Sequence, residues 1–182
     1  MWMDEYDNTK NSMIQLCAYD FDKTLVPYDS YNRYLKHLFV LRPITIGVLL
    51  LLRKMRIMSS KSLKKKVTDI VSRSERLTRD ARHFASKTIY DIQVPPRKGY
   101  MMLIISASPK IYMQYIAEQL QCKLICSDYI DNQYVEMYGE VKAKYLCQYY
   151  PMSEYEYVYA MSDSESDVCW MKRFKQFEII EQ

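Results

Sequence analysis

The sequence predicts an α/β fold in which a parallel sheet is flanked by helices and an all-helical insertion follows the first strand. Short continuous apolar runs occur near the start of the 182-residue chain and again near its middle, as in strands buried on both faces of a parallel sheet. Around residues 100–126 a strand, a helix and a strand follow one another with short links, which is the pattern of a βαβ unit. Between the two runs, residues 29–91 carry apolar side chains at helical spacing. The length fits one domain with a modest insertion.

The first predicted strand covers residues 13–19 and leads directly into two carboxylates, Asp20 and Asp22, and a hydroxyl, Thr24. Asp20 and Asp22 would project from the same face of an extended backbone, because side chains alternate with a period of two. Like charges held this close repel unless a cation or a shared proton compensates them. We therefore expect a metal site at the C-terminal end of this strand.

Four helices are predicted in the insertion, each from a capping residue or proline followed by apolar residues at helical spacing. Residues 53–82 carry eleven Lys or Arg against three Asp or Glu, although the net charge of the whole chain is only +4. Such a segment indicates an anionic substrate, an acidic membrane surface, nucleic acid or simply a solvated helix face. The first helix would be capped by Asp29 or Ser30, the second would run from Pro43 to near Met58, the third would begin at Ser59 or Ser60, and the fourth would be capped by Thr78.

After the insertion, predicted strands alternate with helices to the end of the chain. Two prolines in the junction 91–99 leave little room for a helix there. Pro109 stands in a favourable position to open the helix that follows the second strand. We predict strands at 100–105, 123–126, 155–160 and 177–180, a short strand or hairpin arm at 134–138, and helices at 111–120, 141–149 and 168–174.

Cysteine usage and hydropathy argue against several classes of protein. The five cysteines form no CxxC pair, which disfavours a disulfide framework or a zinc ribbon and favours a reducing cytoplasm. Residues 1–10 are polar and acidic, so we do not expect a signal peptide. The most apolar run, residues 43–52, is well short of the ~20 residues that a membrane-spanning helix needs. With three glycines and no GxGxxG or P-loop motif, the sequence does not support a dinucleotide or ATP site.

Polar residues follow three of the apolar runs. The aspartate pair follows the first, Ser106 and Ser108 follow the second, and Asp163 and Asp167 follow the third. Because the C-terminal ends of strands in an open α/β sheet converge on one crevice, these groups should meet there. The carboxylates could hold Mg²⁺, which prefers oxygen ligands, and the serines at a helix N-terminus suit a phosphate oxygen.

A cation is still needed to balance the phosphate charge, and Lys142 is our first candidate and Lys144 our second. An EF-hand calcium loop does not fit the aspartate pair, because Leu25 and Tyr31 replace its glycine and glutamate. A nucleotide-sugar glycosyltransferase also uses such a pair, but it would leave the later serines and aspartates unexplained. Both histidines lie in the insertion, which excludes a histidine metal cluster. The eighteen tyrosines are scattered, so we expect packing roles and no nucleic-acid partner.

Three motifs, DFDKTL at 20–25, IISAS at 104–108 and DSESD at 163–167, stand in this order with a helical insertion after the first. In this arrangement the chain resembles the haloacid dehalogenase superfamily of phosphotransferases, and most of all its phosphoserine-phosphatase-like branch. The resemblance implies a Rossmann-like catalytic core formed by residues 1–28 and 92–182, with residues 29–91 as a small helical cap. The family often has glycine where this chain has Lys23 and Ser162.

The resemblance also implies catalytic roles. Asp20 would attack phosphorus and form an aspartyl-phosphate. Asp22 would protonate the leaving oxygen and then activate water. Lys142 would neutralise the phosphoryl group and the nucleophile.

Further positions would bind the substrate and the metal. Ser106 would hold a phosphoryl oxygen, and Thr24 would steady the loop and could contact the phosphate. Ser108 is a candidate for substrate binding, although a helix cap is the simpler expectation for it. The implied ligands of Mg²⁺ are Asp20, the carbonyl of Asp22, Asp163, and Asp167 either directly or through water.

The function we expect is Mg²⁺-dependent hydrolysis of a small soluble phosphomonoester in the cytoplasm. One alternative keeps the chemistry but acts on a lipid phosphate such as phosphatidylglycerophosphate, with the basic cap in peripheral contact with an anionic membrane. Another alternative is a non-catalytic protein that binds a phosphorylated ligand, because the short junction 91–99 would prevent closure. The sequence leaves the oligomeric state open.

Overall fold

The computed structural model describes residues 13–93, 97 and 99–180. In this part of the chain six strands form one sheet. The strands are β1 (Ile14–Tyr19), β2 (Met101–Pro109), β3 (Lys123–Ile130), β4 (Gln133–Val135), β5 (Tyr155–Ser162) and β6 (Gln176–Ile179). The helices are α1 (Ser30–Leu41), α2 (Pro43–Lys54), α3 (Ser60–Ser72), α4 (Glu75–Thr88), α5 (Lys110–Leu120), α6 (Glu140–Tyr149) and α7 (Val168–Met171), with 3₁₀ turns at Ile89–Asp91 and Glu165–Asp167.

The sheet has the order β4-β3-β2-β1-β5-β6, so β1 lies in its interior between β2 and β5. Every neighbouring pair is parallel except the hairpin of β3 and β4. The parallel strands bring the ends of β1, β2 and β5 to the same edge. This architecture confirms the predicted α/β class and its helical insertion after the first strand.

The hydrophobic core lies on both faces of the sheet, as the continuous apolar run of β1 predicts. Leu16 and Ala18 pack on one face with Trp170 and the residues around it. Cys17 and Tyr19 point to the other face, where the core continues into the helices α1 to α5. Cys17 is a buried core residue.

Three aromatic rings pack the inserted helices against α5, the helix that follows β2. The ring of Tyr34 in α1 lies 4.9 Å from the rings of both Phe84 in α4 and Tyr112 in α5. Phe84 and Tyr112 meet edge to face at 5.3 Å. Contacts of this kind add to the free energy gained by burial, so α1 and α4 are packed firmly against α5. The proposed division into a core and a cap at residues 28/29 and 91/92 stays a prediction.

Several predicted boundaries were wrong by a few residues. The second helix ends at Lys54 and the last at Met171, both earlier than predicted, and β3 runs on to Ile130 because it pairs with β4. The fourth helix begins at Glu75, since Ser74 is its cap, whereas the Thr78 hydroxyl donates to the carbonyl of Val71 at 3.2 Å.

Strand β2 continues through the serines that we expected to follow it, and its pairing with β3 shifts register between Ser106 and Pro109. Such an irregularity bends the strand where it reaches the edge of the sheet. Residues 94–96 and 98 of the junction 91–99 lie outside the described residues; within the junction, the Gln93 amide donates to the carbonyl of Leu25 at 2.9 Å. In the described part of the chain, no helix combines the length and hydrophobicity required to cross a membrane.

Candidate active site

The loop after β1 holds the aspartate pair in a tight turn. The amides of Leu25 and Val26 both donate to the carbonyl of Phe21, at 3.0 and 3.2 Å. Lys23 has a φ of +57°, the left-handed region in which glycine is favoured, and this is the position where the family often has glycine. Phe21 is fully buried, whereas the alternating residues on either side, Asp20 and Asp22, line a cavity. The local alternation of side chains therefore produces the paired carboxylates, as predicted.

Lys142 lies at the base of the cavity between two carboxylates. It projects from α6, and its Nζ donates to Asp20 Oδ1 and to Asp167 Oδ2, both at 2.6 Å. The Ser162 hydroxyl also donates to Asp167 Oδ2, at 2.8 Å. Burial alone would lower the pKa of Lys142, but the two carboxylates outweigh that effect and raise it. The buried amine is therefore a cation, and Lys144, our second candidate, is exposed on the same helix.

The carboxylates of the cavity outnumber this cation. Burial raises the pKa of Asp20 to about 7, and the nearby charges of Asp167 and Asp22 add to the rise, while Lys142 opposes it. Burial also raises the pKa values of Asp22 and Asp163. Four carboxylates beside the amines of Lys142 and Lys23 leave an excess of negative charge, which a divalent cation would relieve.

Both oxygens of Asp22 have partners. Oδ1 accepts from the backbone amide of Ser30 at the start of α1 at 2.7 Å, and Oδ2 accepts from the hydroxyl of Ser108 at 2.5 Å. Ser30 in turn shares a hydrogen bond of 2.9 Å with the hydroxyl of Tyr112. The expectation that Ser108 caps α5 was wrong, because Pro109 precedes this helix and no side chain caps it. Ser108 instead donates its hydroxyl hydrogen to the carboxylate of Asp22.

Two other predicted residues lie beside the cavity and contact its loops. The Thr24 hydroxyl accepts from the amide of Asp163 at 3.0 Å, so it connects the loop after β1 to the loop after β5. Ser106 is fully buried, and its hydroxyl accepts from the amide of Ser108 at 3.1 Å. At the end of β2, Ala107 and Ser108 line the cavity, whereas Ser106 does not.

The cavity has a volume of about 480 Å³ and opens between the edge of the sheet and the inserted helices. The sequence reasoning assigned no role to the residues that the inserted helices contribute. Their apolar members could close over a substrate, and their polar members could select it. They include Tyr31, Asn32, Leu35, Leu50, Arg53 and Lys64.

Lys64 is the residue that sequence reasoning missed most clearly. It lies on the buried face of α3, and its Nζ donates to the Ala107 carbonyl at 2.9 Å and to Glu136 Oε1 at 2.7 Å. The same Ala107 carbonyl accepts from the hydroxyl of Ser127 at 2.7 Å. Helical spacing from Lys64 to Val67 and beyond was the available signal, because it places this lysine on the apolar stripe.

The donor set can be tested against Mg²⁺. Within the described ranges, no three His, Cys, Asp or Glu side chains converge in the manner of an all-protein metal cage. Mg²⁺ does not need one, because it commonly uses one or two carboxylates and keeps several waters. Asp20 and Asp163 both line the cavity, and the excess of carboxylates supplies the charge. The residues present fit this ion.

A parallel α/β sheet that carries paired aspartates and a buried lysine at its carboxyl edge defines a class of hydrolytic enzyme. The model of the haloacid dehalogenase-like hydrolase family matches residues 17–172. The chain therefore belongs to the haloacid dehalogenase-like hydrolases, as its three motifs predicted.

Solved structures share this fold at low sequence identity. A protein of unknown function from Bordetella pertussis Tohama I is 15% identical, with 91% of this chain and 89% of that chain covered and a TM-score of 0.63. A cytosolic 5′-nucleotidase IIIB bound to cytidine is 14% identical, with 91% and 71% covered and a TM-score of 0.57. A phosphoserine phosphohydrolase-like protein from Francisella tularensis subsp. tularensis SCHU S4 is 16% identical, with 90% and 86% covered and a TM-score of 0.53. No curated protein matches the sequence.

Proposed function

We propose that this hydrolase cleaves phosphomonoesters with Mg²⁺ and passes through an aspartyl-phosphate on Asp20. The observation that carries the proposal is the buried Lys142 amine, which lies 2.6 Å from both Asp20 and Asp167 at the base of a cavity. A fixed cation beside a carboxylate nucleophile is suited to the charge that develops in phosphoryl transfer. The names of the nucleotidase and phosphohydrolase-like relatives point to the same type of substrate.

In the proposed first step an oxygen of Asp20 attacks phosphorus, and the bond from phosphorus to the ester oxygen breaks. Asp22 gives its proton to that departing oxygen, which leaves as an alcohol. Burial raises the pKa of Asp22, so the carboxyl retains a proton more readily than an exposed aspartate would. In the second step Asp22 takes a proton from water, the water oxygen attacks phosphorus, and Asp20 is released with inorganic phosphate.

Three hydroxyl groups near these two carboxyls would contact the phosphoryl group or position the residues that do. The Ser108 hydroxyl lies at the cavity wall beside Asp22, and Ser106 steadies the backbone of Ser108. Thr24 keeps the two loops together through the Asp163 amide. We therefore assign Ser108 to direct contact and the other two hydroxyls to positioning.

The metal would be held by Asp20, Asp163 and the backbone carbonyl of Asp22. Asp167 Oδ2 already accepts from both Lys142 and Ser162. Asp167 would therefore assist metal binding through its other oxygen, either directly or through water. When bound, Mg²⁺ supplies positive charge that neutralises the phosphate oxygens and the surrounding carboxylates.

The substrate we propose is a small soluble phosphomonoester, because a cavity of about 480 Å³ matches a compact ligand. Residues 29–91 would act as the cap that closes over it. We place the enzyme in the cytoplasm, since its five cysteines are free thiols. A lipid phosphate is a second candidate, because Leu50 and Arg53 of α2 line the cavity while other residues of that helix are exposed and apolar.

Hydrolysis of a broad panel of phosphomonoesters, with Mg²⁺ and with EDTA, tests the proposal. We expect Mg²⁺-dependent release of phosphate by the natural chain and by Asp131→Asn, a surface control, and none by Asp20→Asn. Turnover that survives in Asp20→Asn would remove the assigned nucleophile. If the natural chain hydrolyses nothing in the panel but binds a phosphorylated compound, the chain is a phospho-ligand binding protein instead.

A further inference from the structure

Helix α2 presents an apolar face that nothing in the described chain covers. Ile44, Val48, Leu51 and Met55 are spaced at i, i+4, i+7 and i+11, so they lie along one side of the helix. Their exposed fractions are 83%, 51%, 56% and 59%. The buried side of the same helix carries Ile46 and Leu49. A helix that is apolar on both sides usually has a partner on both.

The chain on either side of α2 carries further exposed apolar residues. Val40, near the end of α1, is 78% exposed, and Ile57, just after α2, is 67% exposed. Single exposed aliphatic residues are common, but six exposed apolar residues within 40–57, four of them on one side of one helix, indicate an interaction site. We call these six residues the α2 face.

The α2 face is bordered by positive charge. Arg42 precedes α2, Arg53 and Lys54 end it, and Arg56 follows it; all four side chains are exposed, and of these Arg53 lies on the cavity side of the helix. The sequence from residue 30 to residue 68 contains no aspartate or glutamate. Within the described residues none of the four cations forms a salt bridge. The charge is therefore available to an anionic partner.

We propose that the α2 face docks the protein onto the surface of a membrane that contains anionic lipid. A helix of 12 residues is about 18 Å long, too short to cross a bilayer but suited to lying in its interface. Its aliphatic side chains would enter the boundary between headgroups and acyl chains, and its basic residues would meet lipid phosphates. This inference concerns binding alone and holds for either substrate considered above.

Other partners would complement either the apolar residues or the cations of this surface, but not both. Nucleic acid would neutralise the arginines and lysine but leave six aliphatic side chains without an apolar environment. A second copy of this chain, joined by a two-fold axis through the α2 face, would bring its cations against the same cations. An anionic bilayer accommodates both the apolar and the charged residues.

Docking in this way would bring the cavity close to the bilayer. Leu50 and Arg53 belong to α2 and line the cavity, whereas Leu51 and Lys54 follow them directly and face outward. The entrance and the docking face therefore share one helix. A substrate or product in the interfacial layer would reach the catalytic carboxylates without a long path through solvent.

Co-sedimentation of the full chain with phosphatidylcholine vesicles, with and without 30 mol% phosphatidylserine, tests the proposal at low salt. We expect binding only to the vesicles with phosphatidylserine. Ile44→Glu with Leu51→Glu should weaken partitioning at least about tenfold, since the apolar contribution is lost. Lys54→Glu with Arg56→Glu should weaken it about 25-fold or more, at roughly fivefold for each cation removed.

Two matched controls change equal numbers of exposed residues elsewhere. Tyr90→Glu with Met152→Glu replaces exposed hydrophobic residues, and Lys123→Glu with Lys172→Glu reverses exposed charges. Both should retain binding within about twofold, with circular dichroism as the check on folding.

Three results would overturn the proposal. The first is failure of the natural chain to bind anionic vesicles at low salt. The second is an equal loss of binding in the control variants, which would make the attraction a matter of net charge. The third is a dimer, seen by sedimentation velocity without lipid, that Ile44→Glu dissociates, because the α2 face would then belong to a second copy of the chain.

Discussion

Replacing Asp20 by Asn should stabilise the metal-free protein at alkaline pH although it removes catalysis. Burial raises the pKa of Asp20 from 3.8 to about 7, so the folded state accommodates its negative charge poorly. A rise of about three pKa units, at about 1.4 kcal/mol each, corresponds to about 4 kcal/mol of lost stability once the carboxyl is ionised in both states.

The neutral amide avoids this cost but makes a weaker hydrogen bond to Lys142 than the carboxylate does. We therefore expect a net gain of about half the full value, about 2 kcal/mol, in the free energy of unfolding. For a domain of 182 residues this should raise Tm by about 4–8 °C. The assay is thermal unfolding in EDTA at pH 8 and at pH 5.

The sign of the pH dependence follows from the direction of the shift. Because the folded pKa is the higher one, stability falls as pH rises from about 4 to about 7, and the gain from Asn grows over the same range. At pH 5 the gain should be well under half of its value at pH 8. Asp131→Asn on the surface should show no such trend. An unchanged or lower Tm for Asp20→Asn at pH 8, or the same gain at both pH values, would refute the reasoning.

Three further experiments test the site. Lys142→Met should abolish phosphate release. It should also destabilise the fold by about 3–5 kcal/mol in urea unfolding, because it leaves the buried carboxylates of Asp20 and Asp167 unpaired. The control Lys144→Met should change neither the phosphate release nor the free energy of unfolding. Ser108→Ala should lower kcat about 10- to 100-fold and move the alkaline limb of the pH–rate profile to higher pH. In the natural chain the hydrogen bond from Ser108 lowers the pKa of Asp22, so its loss raises that pKa; an unmoved profile would contradict this role. Lys64→Met and Glu136→Gln, combined in a double-mutant cycle, should show a coupling free energy of about 1–3 kcal/mol, and additive effects would show that their ion pair contributes nothing.

Much of the fold could be predicted because the signals were local. Residues 16–19 of β1 form an unbroken apolar run, and Asp29, Ser59 and Pro43 mark helix starts as their chemistry requires. The fourth helix start was missed because Ser74 and Thr78 are both capping residues in sequence. Only the structure shows that the Ser74 hydroxyl accepts from the backbone amide of Leu77 and so caps the helix.

Features that depend on distant partners could not be predicted. The extension of β2 past Ile105 depends on backbone pairing with β3, because small polar residues such as Ser106 carry no strand signal of their own. Lys64 meets a carboxylate 72 positions away in the chain, so its helix predicts that it faces inward but not what it contacts. Lys142 was assigned because the phosphate charge needs a cation and because the family resemblance implies a lysine; the packing of α6 that brings it to two aspartates is tertiary.

The contact of Lys64 also has a consequence for the cycle of turnover. One amine joins α3, the Ala107 carbonyl at the cavity wall, and Glu136 before α6. Any outward swing of α3 must separate this ion pair and let water reach both charges before the cavity opens. In the proposed reaction cycle opening would therefore be an activated event, and the rate of phosphate release should depend on how easily Lys64 is hydrated, independently of the speed of the chemical step.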